Sequence, residues 1–158
     1  MDIFSDLSWP DVLRDGVRLV VAAVLGSVIG VERLIHRHYA GLRTHTLVAL
    51  GGAAFMLLGM SIAHGDPNAA SRALQGIVTG IGFLGAGTIL KLQQQRSVRG
   101  LTTAAGMWCA AGVGVATGAG CLVEAAWLTV IAILVLWALR VVELQAGVPK
   151  GTNRGRKP

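Results

Sequence analysis

Apolar residues gather in five blocks, at about 16–31, 44–63, 69–92, 101–119 and 123–142, and short polar stretches separate them. Hydrocarbon offers the backbone no hydrogen-bonding partner, so a spanning segment must satisfy its own N–H and C=O groups. Each block is therefore predicted to be a helix, and the fold class is an all-α, integral membrane bundle of five transmembrane helices. The block at 16–31 is the shortest and lies near the lower limit of roughly 17 residues for a span. Asp66 followed by Pro67 marks the start of the third helix, as an N-cap with Pro at the first helical position. The domain reading is a 1–15 N-terminal segment outside the membrane, a 16–143 bundle, and a basic, disordered tail at 144–158.

The charges sort by connection. With the N-terminus outside, Arg33, Arg37, Arg43, Lys91, Arg96, Arg99, Arg140, Lys150, Arg154, Arg156 and Lys157 all fall inside, and only Arg14, Arg18 and Arg72 fall outside. The positive-inside rule counts Lys and Arg, so the prediction is N-terminus out and C-terminus cytoplasmic. The acids echo this weakly: Asp2, Asp6, Asp11, Asp15, Asp66 and Glu124 lie outside, Glu32 and Glu143 inside. An N-terminus with Asp2 and Asp6 lacks the basic character of a cleaved signal, so the first span is expected to stay as an anchor.

Composition sharpens the membrane reading. Hydrophobic residues make up 53% of the chain and charged residues 14%, against about 25% charged in a typical soluble domain. The 22 glycines suit helices that pack closely in lipid. A net charge of +6 would also suit nucleic acid. The basic residues sit beside apolar spans instead, so the expected partner is the bilayer and not a nucleic acid. Cys109 and Cys121 are about 18 Å apart if the chain between them is helical, too far for a bridge within one subunit.

Gly80-Ile81-Gly82-Phe83-Leu84-Gly85 matches the dinucleotide fingerprint literally, but it lies in an apolar helix and position 105 is Ala, where an acid would be needed. Close helix packing is the better reading of this run, which continues to Gly87; a broken helix at a midplane site is the alternative. Gly26 and Gly30 form a second packing face. Glu32, Arg33, Arg43, Thr44, Arg99, Thr102 and Thr103 are predicted to gather as a polar cluster on the cytoplasmic side, with Glu32 paired to Arg43 or Arg99. An unpaired charge beside an apolar run is costly, which argues against simple snorkelling there.

Asp66, Arg72 and Gln75 form an outer polar group, read either as a site or as a helix cap with interhelical hydrogen bonds. His36 and His38 do not share a helical face, and His45 and His64 stand alone. Glu32, Asp66 and Glu124 are weak candidates for a metal such as Mg²⁺, which prefers oxygen ligands and keeps water. No cofactor is expected. The residues offer no catalytic constellation, and the expectation is a protein that is not an enzyme.

Several segments together resemble the MgtC/SapB family of bacterial membrane proteins. They are Gly30-Val31-Glu32-Arg33, Ala40-Gly41-Leu42-Arg43-Thr44, Leu50-Gly51, and Asp66-Pro67 followed by Arg72. The run Gly80 to Gly87 and then Val98-Arg99-Gly100-Leu101-Thr102-Thr103-Ala104-Ala105, with Trp108 after it, complete the match. The resemblance implies a multi-pass protein of the bacterial inner membrane, linked to growth at low magnesium and to survival of pathogens in macrophages. It further implies a regulator of another membrane complex, the F-type ATP synthase being the example. Longer members carry a soluble ACT-like domain after the fifth span, for which the residues after Glu143 leave no room.

Two functions follow as expectations. The first is a regulator that contacts another membrane protein or its own copies through the faces of Gly26, Gly30, Gly80, Gly82, Gly85 and Gly87. The second is a channel or transporter for Mg²⁺ or another cation, formed by a homo-oligomer.

Overall fold

The computed structural model describes residues 8–36, 38, 40–92 and 97–145. It contains five helices: α1 (Trp9–Ile35), α2 (Leu42–Ala63), α3 (Pro67–Gly87), α4 (Leu101–Gly118) and α5 (Leu122–Gln145). A short antiparallel hairpin, β1 (Leu90–Leu92) with β2 (Ser97–Arg99), joins α3 to α4, with Lys91 opposite Val98. By length and composition α2 and α5 are apolar enough to cross a membrane.

The element boundaries differ from the apolar pattern in two informative places. The first helix begins at Trp9 and not at 16. The Ser8 hydroxyl accepts from the Asp11 N–H at 3.4 Å, and Pro10 falls where the missing N–H costs nothing. Arg14 pairs with Asp11 at 2.8 Å one turn along, so this stretch is a polar first turn that a count of apolar residues overlooks. The third helix ends at Gly87 and not at 92. Glycines lower helix propensity there, and the Thr88 hydroxyl donates to the Gly85 carbonyl at 2.8 Å and closes the last turn. The run from Gly80 to Gly87 is nonetheless continuous helix, without a break.

The hairpin also replaces what the pattern suggested was a plain loop. It returns the chain at Gly100, whose φ of +93° only glycine adopts without strain. A Cβ there would also strike the Thr88 carbonyl.

The core lies around α4, which packs on all four other helices. Ile29, Ala110, Val113, Ala125 and Ala132 form one buried cluster, and Ala40, Ile81, Met107 and Ala111 a second. Most of these side chains are small, so backbones come close and gain dispersion contacts. A Cβ on Gly26 would sit 2.5 Å from the Ala49 Cβ, and one on Gly30 would sit 2.7 Å from the Leu42 Cα. On α4, a Cβ on Gly114 would strike the Ala49 carbonyl, and one on Gly118 would lie 2.6 Å from the Ala53 carbonyl oxygen. Arg18 closes the same seam by donating to the Gly118 carbonyl at 3.2 Å, a cation at a helix C-terminus.

Candidate functional site

The last turn of α1, the loop after it and the first turns of α2 and α4 meet at one end of the bundle. Arg33 is the centre of this group, with 2% of its side chain exposed. It donates to the Thr103 hydroxyl at 3.4 Å, across from α1 to α4. Its guanidinium lies 3.8 Å from Glu32, which is 12% exposed, and Glu32 in turn lies 3.6 Å from the His36 ring. A buried guanidinium without a carboxylate would carry a heavy desolvation cost, and Glu32 offsets part of it.

His45 completes the group from the first turn of α2. Its Nδ1 lies 3.0 Å from the Gly41 carbonyl, so that nitrogen carries the proton and Nε2 is left as an acceptor. The ring is fully buried, and a Cβ on Gly106 would come within 3.0 Å of Nε2. Gly106 therefore opens the slot that the imidazole fills. Glu32 Oε2, Arg33 Nε and His45 Nε2 are all buried without a hydrogen-bond partner among the described residues. Such groups need one another or a bridging water. His38 lies just outside the helices, where burial and the nearby Arg33 hold its imidazole below the usual histidine range.

This arrangement retains part of the expected cluster and changes its pairing. Glu32, Arg33 and Thr103 come together as the sequence suggested. Glu32 turns to Arg33 and His36, while Arg43 is exposed and ion-paired to no described residue. Thr44 is half-buried, Thr102 faces outward, and Arg99 is half-buried at the end of β2. His45 was missed because it looks solitary in sequence. The one signal was a histidine placed a turn into an apolar helix, where burial demands a partner. Arg37 and Arg96 lie outside the described residues, as do residues 1–7 and 146–158.

Of the two readings of the outer polar group, the structure has the Asp66 cap. Asp66 caps α3 by accepting from the Asn68 N–H at 2.9 Å, and Arg72 approaches it at 3.9 Å with both side chains largely exposed. That is a helix cap with a surface ion pair, worth little energy. Gln75 faces outward on α3. Glu32, Asp66 and Glu124 lie on or beside three different helices, and no cluster of three or more acids, histidines or cysteines fit for a metal occurs among the described residues.

The glycines divide. Gly26 and Gly30 pack backbone to backbone, and Gly85 makes ordinary contact with Ala104 at 3.7 Å. Gly80, Gly82 and Gly87 have nothing within 4 Å of where a Cβ would stand, so any packing by them needs another molecule. Four further glycines in close internal contact, Gly52, Gly106, Gly114 and Gly118, were not singled out by spacing.

Comparison with known proteins adds the family. Residues 19–145 match the model described as the MgtC family. A protein named MgtC from Salmonella typhimurium is 44% identical over 102 residues, 65% of this chain and 40% of that relative. MgtC of Brucella abortus is 46% identical over 100 residues, 63% of this chain and 40% of the relative. An uncharacterised Synechocystis protein is 44% identical over 102 residues, 65% of this chain and 41% of its own length. The match thus spans about two fifths of these curated relatives. No solved structure matches.

Proposed function

The chain belongs to the MgtC family, and from that premise we propose that it is a small, non-enzymatic protein of the bacterial inner membrane that modulates another membrane complex. All five helices cross the bilayer in this reading, with the Arg33 end in the cytoplasm and the N-terminus outside. The regulated complex is one of membrane energetics, the F-type ATP synthase being the example the family suggests, in cells short of magnesium.

The outer face of α3 supports the contact. Gln75, Thr79, Gly82 and Ala86 recur at four-three-four spacing, and every one of them is exposed. The Thr79 hydroxyl is spent on the Gln75 carbonyl at 2.9 Å, while the Gln75 amide has no described partner. Toward lipid, an amide without a partner is unfavourable. Toward a second helix it is an interhelical hydrogen bond, and Gly82 and Ala86 let that helix approach closely. The helix that docks there comes from the regulated complex or from another copy of the chain.

Cross-linking from α3 in native membranes tests this. Gln75→Leu and Gly82→Leu are expected to lower the adduct at least several-fold with insertion unchanged. Unaltered adducts in both variants would refute the contact. A second measurement separates the cation-transport alternative: Mg²⁺ and proton flux in liposomes holding the purified chain. Flux abolished by Glu32→Ala would replace the regulator with a transporter, whereas flux no greater than in empty liposomes would favour the regulator.

A further inference from the structure

The opposite side of α3 carries a different feature. Between α2, α3 and α4 runs a groove of about 950 Å³. Its walls are apolar from end to end except at the basic end, where Arg43 and Thr44 stand at the start of α2. Glycines help make the space: Gly51 on α2 and Gly76 and Gly80 on α3 line it, and a Cβ at any of the three would meet nothing within 4 Å. Toward its far end, lined by Leu58 and Ile62, α2 and α3 come close where Gly59 meets Ala73.

We infer that this groove binds one anionic phospholipid, with its phosphate on Arg43 and its tails between α2 and α3. The groove is apolar along its length with a cation at one end, the layout that suits a molecule with apolar tails and an anionic head. A methylene needs about as much room as a liquid water, ~30 Å³, so two tails of about 16 carbons need roughly 960 Å³, which the groove supplies. Along α2 the walls run from Arg43 to Ile62, a rise of about 28 Å, so the roughly 15 Å of one leaflet's hydrocarbon is accommodated in the half of the groove next to Arg43.

Charge selects the headgroup. Arg43 is exposed, has no ion-pair partner among the described residues, and lies beside the mouth. Its guanidinium suits a phosphate oxygen pair and has five donors to offer. The Gln75–Ala86 face points away from the groove, so lipid and partner helix do not compete.

Native mass spectrometry of the full chain, delipidated in a neutral detergent, tests the site. Phosphatidylglycerol and phosphatidylcholine with identical tails are titrated separately. The wild type should hold one phosphatidylglycerol about fivefold more tightly than phosphatidylcholine, the ratio one basic residue near a membrane surface gives. Arg43→Gln should erase that preference while keeping the weaker, headgroup-independent binding. Gly51→Leu and Gly80→Leu should each lose binding of both lipids with unchanged melting, since their side chains enter open space. Equal affinity for the two lipids in the wild type, or a preference that survives Arg43→Gln, would overturn the site. So would a dimer that Gly51→Leu and Gly80→Leu dissociate, because a second copy would then be the occupant.

Discussion

Two glycine-rich regions of this bundle use the same residue for opposite ends. Along the α1–α2–α4 seam, glycine removes a Cβ so that one backbone can lie against another: Gly26 against Ala49, Gly30 against Leu42, Gly114 against the Ala49 carbonyl. Along α3, glycine removes a Cβ and nothing moves in, so Gly76, Gly80 and Gly82 border open space. The first use builds the core, and the second leaves room for other molecules. Burial follows: α4 buries Thr103 through Gly118 along one face, while α3 buries only Ile81 and Gly85.

The strongest break of this comparison is Gly114→Leu. Its side chain would have to displace the α2 backbone at Ala49, and the expected result is loss of a folded, monodisperse protein in size-exclusion chromatography. Arg33→Ala comes next. It leaves Glu32 buried without its guanidinium, and breaking such a pair costs about 3–5 kcal/mol. Thermal unfolding of Arg33→Ala, Glu32→Gln and the double variant would show strong coupling, with the double variant more stable than the sum predicts. The mildest is Gly80→Ala, where a Cβ enters free space in a helix interior. Its melting temperature should be unchanged or higher, by up to about 1 kcal/mol of helix propensity. A large loss there would mean that α3 is closed against something, and the contrast between the two regions would fail.

Much of the fold is legible in the chain itself. Five apolar blocks became five helices, and Asp66-Pro67 caps α3 as its chemistry predicts. The end of α3 was not legible, because Ile89 to Leu92 continue the apolar run while glycine and Thr88 end the helix. At the basic end, Glu32, Arg33 and Thr103 were recognisable as a group, yet the pairing was not. The sequence neighbour Arg33 won over Arg43, since α1 turns that guanidinium inward and α2 turns Arg43 out. His45 became part of the site only because Gly106 of α4 makes room for its ring.

What the chain determines alone is local: hydrophobic blocks, capping residues and the bias of Arg and Lys toward alternate connections. These depend on neighbours a few residues away, and every one is written in the order of residues. Which glycine touches a backbone and which borders empty space depends on the helix that lies opposite. Gly114 and Gly80 are alike in sequence, each a glycine inside an apolar helix. Only the tertiary structure sets α2 hard against one and leaves a groove beside the other, because the close approach of two backbones is a property of the pair and not of either strand of sequence.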